Sequence, residues 1–170
     1  HAFDVYKWSM EKVRFFNTTR PYSELNYMLA SRSEQVIELM HTQNIKPNFN
    51  FSFQYRLINA PGFFKNQKTN HNNYLFTSRY ESVNKRYNAY LVLLGNITTK
   101  LGGDQAESRS FFSTDVGTGN RYSEFTILLR QQYDFGKKDS IVTDSTVVPL
   151  FFPRLRFEHT LQYSSRKYEF

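Results

Sequence analysis

Residues 48–58 read NFNFSFQYRLI. Phe49, Phe51, Phe53, Tyr55 and Leu57 alternate there with Asn50, Ser52, Gln54 and Arg56, so one face is apolar and the other polar. A β-strand points successive side chains to opposite faces, and a period of two therefore marks a strand and not a helix. The alternation returns at 122–133, where Phe125, Ile127, Leu129 and Tyr133 oppose Glu124, Thr126, Arg130 and Gln132. It returns again at 154–165, where Leu155, Phe157, Leu161 and Tyr163 oppose Arg154, Arg156, Glu158, Thr160 and Gln162. Four further strands follow outward from these three, at 22–30, 34–44, 73–81 and 86–96. β-Branched and aromatic residues dominate most of these windows and no capping box opens a helical stripe, although 33–40 could pass for a short helix.

The predicted strands are about 9 to 12 residues long, against the five or six usual in soluble sheets. At about 3.3 Å per residue and a tilt near 45°, 11 residues rise roughly 26 Å, the height of the apolar band of an outer-membrane barrel. Antiparallel order places the long loops 59–72 and 97–121 on one side and the short turns 45–47 and 82–85 on the other. Outer-membrane barrels share that asymmetry; the turn 31–33 and a connection over 134–153 do not follow it. The expected fold is all-β, an antiparallel up-and-down transmembrane β-barrel. Residues 1–21 are read as a periplasmic entry segment and 22–170 as barrel strands. Seven strands is an odd number, whereas single-chain bacterial barrels have an even one, so the chain reads as a fragment of a larger barrel.

Composition narrows the alternatives. The chain has 170 residues, a length that suits one domain. Aromatic residues make up 18%, far too many for a disordered chain, although only 39% of residues are hydrophobic. No apolar run approaches the roughly 20 residues of a membrane-spanning helix. A formal net charge of +7 suits an anionic partner. Without cysteine there is no disulfide, thiolate nucleophile or Cys-based zinc site. His41, His71 and His159 lack metal-ligand spacing, and neither a G-x-S-x-G elbow nor a Walker loop is present. No enzyme, metal or cofactor is expected.

The charged residues on strands carry the functional expectation. Gln54, Arg56, Arg79, Glu81, Arg130, Arg154, Arg156 and Glu158 fall on polar faces and would line a lumen if the apolar faces met lipid. Arginines there bias permeation toward anions; in the alternative, they pair with Glu on neighbouring strands and fill the interior. Tyr22, Phe49, Tyr80, Tyr87, Tyr133 and Phe135, with Phe151 and Phe152, cluster toward one side as expected of an interfacial aromatic girdle. Lys65 and Lys68 could meet lipid phosphate.

Several stretches in order, RFFNTTRPY (14–22), HTQNIKPN (41–48), INAPGFF (58–64), NQKTNH (66–71), YESVNKRYN (80–88) and, more loosely, PRLRFEHTLQYSS (153–165), resemble the putative porins of the Bacteroidota. The resemblance implies a barrel in a bacterial outer membrane, larger than this chain can close, and brings no catalytic residues. The function expected is a passive diffusion pore or a barrel subunit of an envelope complex. Its surroundings would be outer-membrane lipid and lipopolysaccharide, with other outer-membrane proteins as further partners. Two alternatives come from other classes. One is a soluble lipocalin-like barrel with its apolar faces inward around an apolar ligand. The other is a basic aromatic platform for single-stranded nucleic acid, disfavoured because the aromatics alternate along whole strands; nucleic acid is not an expected partner.

Overall fold

Every strand pairs with its neighbour in sequence. The computed structural model describes residues 6–30, 33–61, 68–101, 119–143 and 146–169. Strands β1 (Tyr22–Leu29), β2 (Gln35–Lys46), β3 (Phe49–Pro61), β4 (Lys68–Glu81), β5 (Tyr87–Leu101), β6 (Gly119–Thr143) and β7 (Thr146–Glu169) form one antiparallel up-and-down sheet in that order. Among the described residues β1 pairs only with β2 and β7 only with β6, so the sheet is open. Helical structure among the described residues is confined to 3-10 turns, of which Met10–Lys12 is described whole. Among the described residues no helix is long and apolar enough to cross a membrane.

The strands outrun the alternation that marks them. Polar pairs such as Asn59↔Asn70 and Ala60↔Thr69 extend the ladders beyond the apolar band, where a two-residue period is invisible. Loops read as 59–72 and 97–121 thus shrink to 62–67 and 102–118, which lie outside the described residues with Lys65. The helical option at 33–40 gives way to β2, whose Ile37 and Leu39 share a face with Tyr27 and Leu25 of β1 and with Leu57 and Tyr55 of β3. The expected connection over 134–153 is instead mostly strand: β6 and β7 continue as a hairpin arm through Ile141↔Val148 and Val142↔Val147. A bulge explains why this was hidden. Phe135 pairs with Leu155 but Gly136 with Pro153, which leaves Arg154 without a partner and resets the side-chain phase of β7.

Gly136 has a steric reason to be glycine. A Cβ there would collide with the backbone oxygen of Phe152 and come within 2.8 Å of Phe151 Cζ. Gly136→Ala is expected to destabilise the sheet by roughly 1–3 kcal/mol, because backbone on the facing strand has to move. A fall in the denaturant midpoint with an unchanged slope checks this.

The short turns agree with their residues. Pro47 and Asn48 link Lys46 to Phe49, and the Asn48 side chain donates to the Glu81 carbonyl at 2.7 Å. In the β4–β5 turn Lys85 takes the left-handed conformation (φ 57°), and its N–H donates to the Ser82 carbonyl at 2.8 Å. The Asn84 side-chain oxygen accepts from Ser82 Oγ and from the Arg86 N–H, and this side-chain ring stands in for turn backbone bonds.

Cross-strand partners share a face, so the register sorts the side chains. One row runs His41, Phe53, Phe76, Leu93, Ile127, Tyr163; on the other face a row runs Thr42, Ser52, Thr77, Val92, Leu128, Gln162. Burial is inverted relative to a soluble domain. Among the described residues three hydrophobic ones are buried, Leu75, Val92 and Leu94, against ten polar ones that include Asn50, Asn73, Asn96 and Asp134. The register puts all thirteen on the polar face. The other face leaves Phe53, Tyr74, Phe125, Phe157, Leu161 and Tyr163 exposed.

Candidate functional site

A strap made of residues 6–20 covers the polar face, and asparagines hold it there. Trp8 N–H donates to Asn96 Oδ1 at 3.0 Å while Asn96 Nδ2 donates to the Trp8 carbonyl at 3.0 Å. A primary amide thus copies the two-bond exchange of a neighbouring strand. Asn73 Nδ2 and an Arg56 terminal nitrogen both donate to the Tyr6 carbonyl, at 3.1 and 2.6 Å. At the other end Thr18 N–H donates to Asn44 Oδ1 and Asn44 Nδ2 to Asn17 Oδ1. Ring contacts follow the same line: Tyr6 stacks on His71 at 5.0 Å and Phe15 meets Tyr90 edge-on at 5.0 Å. His71 lies toward the 62–67 end of β4 and Asn44 beside the β2–β3 turn, so the strap runs the height of the sheet.

Midway the polar face turns apolar. Leu75, Val92 and Leu94 form its one buried hydrophobic cluster among the described residues, and Trp8, Met10 and Val13 of the strap pack on it with Leu128. The hydrophobic effect thus seats the strap and the asparagine amides set its register, since a buried backbone group without a partner costs about 1–3 kcal/mol.

Charges on this face are balanced. Gln54, Arg56, Arg79, Glu81, Arg130, Arg156 and Glu158 all lie on it, while Arg154 is the unpaired bulge residue. Arg156 forms a bidentate pair with Asp134 at 2.7 and 3.1 Å. Arg79 meets Glu81 at 3.0 Å, Arg130 meets Glu158 at 3.0 Å and Arg166 meets Glu124 at 2.9 Å. Arg56 differs: its nearest carboxylate, Glu38, is 4.0 Å away. With Lys100 and Glu24 included, six cations and six anions share this face up to the bulge. The excess positive charge nearby belongs to the strap, where Lys7, Lys12, Arg14 and Arg20 outnumber Glu11.

The apolar face has an aromatic rim beside the short turns. Phe49 and Tyr80 lie 6.4 Å apart, Tyr80 and Tyr87 6.2 Å, Tyr133 and Phe135 4.6 Å, and Tyr87 pairs with Tyr133 across β5 and β6. Phe151 lies in the hairpin arm under Arg86, 4.2 Å from its ring centre, and Phe152 is exposed. Tyr22 is at the same end but opposite Thr42, on the polar face. At the opposite edge Lys68, Arg121 and Lys167 share the apolar face.

Sequence reasoning did not single out Asn44, Asn73, Asn96 or the strap residues Tyr6 and Trp8. The available signal was asparagine in mid-strand, where it is a poor strand former and so points to a backbone group that its amide must serve. Among the described residues no three His, Asp or Glu side chains converge on a metal site.

A family model described as "Putative porin" matches residues 1–170, the whole chain. No curated protein and no solved structure matches it.

Proposed function

The chain belongs to the "Putative porin" family, and from that premise we propose that its sheet is part of a transmembrane β-barrel in a bacterial outer membrane, acting as a passive diffusion pore. The inverted burial carries this reading: polar residues are buried and large apolar ones face outward. Turned toward lipid, the apolar face is in its preferred solvent, and the aromatic rim beside the short turns sits at headgroup level. Lys68, Arg121 and Lys167 at the far edge then meet the phosphates of lipid and lipopolysaccharide. The polar face becomes the lumen wall and the strap lies within the lumen.

The open edges support a larger barrel. β7 presents 24 residues with one free side. An unpaired edge cannot persist in hydrocarbon, so β1 and β7 pair with further strands. A soluble ligand-binding barrel needs the apolar face inward, the reverse of the burial seen. A second reading, a plugged barrel that serves as scaffold in an envelope complex with other outer-membrane proteins, is favoured by the strap.

The full-length protein in planar bilayers separates these. A heat-shifted band retained in washed outer membranes, with stepwise conductance on insertion, is the expected result for a pore. The same band with no conductance over repeated insertions points to the scaffold, and a band in the aqueous fraction overturns both.

A further inference from the structure

One arginine of the polar face lacks a carboxylate at contact distance. Four of its arginines contact a carboxylate at 2.7 to 3.0 Å, but Arg56 stands 4.0 Å from Glu38. Its guanidinium makes one hydrogen bond, to the Tyr6 carbonyl, and its buried Nε makes none. A guanidinium offers five N–H donors, and its geometry fits oxyanions in a bidentate fork. Arg56 borders a crevice of about 450 Å³ between strap and sheet, into which Lys7, Lys12 and Arg14 also come; among the described residues Glu24 is the acidic residue of its lining and Glu38 stands behind the guanidinium at 4.0 Å. Arg56 lies over the Trp8 ring at 5.2 Å, which fixes the guanidinium plane against the crevice wall. We infer that this crevice is a binding site for a small free oxyanion of the phosphate type, with Arg56 as its fixed donor and Lys12 and Arg14 of the strap completing it.

The polar face is the wrong side of the sheet for a lipid headgroup, so the phosphate is a dissolved one. In the pore reading this makes the crevice a station for anionic solutes, but the binding itself does not require conduction.

Trp8 provides the readout. Detergent-solubilised full-length protein is titrated with inorganic phosphate and with pyrophosphate at constant ionic strength set by sodium chloride. Trp8 emission is followed, with Trp8→Phe to isolate the signal and equilibrium dialysis of labelled phosphate beside it. Saturable binding is expected, tighter for pyrophosphate. It should weaken about tenfold in Arg56→Gln and about threefold in Lys12→Gln. Lys12 is exposed and outside the sheet, so its substitution leaves the fold intact. Phosphatidic acid in mixed micelles should not compete. Competition by that lipid, absence of saturable binding, or wild-type affinity in both variants overturns the site. Loss of binding with conductance intact sinks this inference alone, and binding without conductance sinks the pore.

Discussion

Leu93→Arg is expected to destabilise the membrane-inserted protein by about 2–4 kcal/mol, the cost of a charge at the lipid-facing midplane of a β-barrel. Leu93 sits on β5, a strand paired on both sides, in the row that joins Phe53, Phe76, Ile127 and Tyr163. All of that row faces away from the strap. If the face meets lipid, the guanidinium must snorkel more than one strand residue to reach water, and the energy lost shifts the folded fraction by a factor of roughly 30 to 1,000. The heat-shifted band in denaturant should then unfold at much lower urea. Arg121→Leu, at the edge of the same face, should change little, since burial cost falls toward the interface. If Leu93→Arg leaves the midpoint where it was, that face is in water and the transmembrane reading fails. A soluble sheet would accept the same substitution at an outward position within about 0.5 kcal/mol.

The sheet was legible because its apolar face is simple. Phe49 to Leu57, Phe125 to Tyr133 and Leu155 to Tyr163 repeat every two residues, and no competing helical stripe exists in them. What escaped was whatever broke that period. The bulge at Arg154 shifted the phase of β7, so a strand of 24 residues read as a shorter one preceded by a connection. Polar strand extensions such as Thr69 to Asn73 show no alternation because both their faces are polar. Arg56, Arg79, Arg130 and Arg156 could be placed on one face by counting, together with Glu81 and Glu158, but the partner of Arg156 could not. Asp134 lies beyond the last readable alternation, and its pairing with Arg156 depends on register across β6 and β7. The strap was the least legible part. Its aromatics, Tyr6, Trp8, Phe15 and Phe16, follow no strand period, and the contacts join positions as far apart as Trp8 and Asn96.

Asn96→Leu is expected to raise single-channel conductance severalfold by releasing the strap. Leucine keeps the branched outline of asparagine, with a larger volume, but removes both bonds to the Trp8 backbone and the oxygen that accepts from Asn73 Nδ2 at 2.6 Å. Two half-buried backbone groups of Trp8 then lack partners, at about 1–3 kcal/mol each. That loss moves the docked-to-released ratio of the strap by a factor of roughly 30 or more. The remaining hold is Trp8, Met10 and Val13 against Leu75, Val92 and Leu94, together with the Arg56 and Asn73 bonds to Tyr6. The sheet should survive, because its ladders do not pass through the Asn96 side chain. Trp8 should become accessible to a soluble quencher in step with the conductance change. Thr126→Val is the control: it removes one hydroxyl from the same face, whose hydrogen-bond partner is Ser164 at 3.0 Å, and should leave both readings unchanged. If quencher access rises in Asn96→Leu while conductance stays at the wild-type level, the strap leaves its seat without opening a path. The constriction would then lie elsewhere in the barrel.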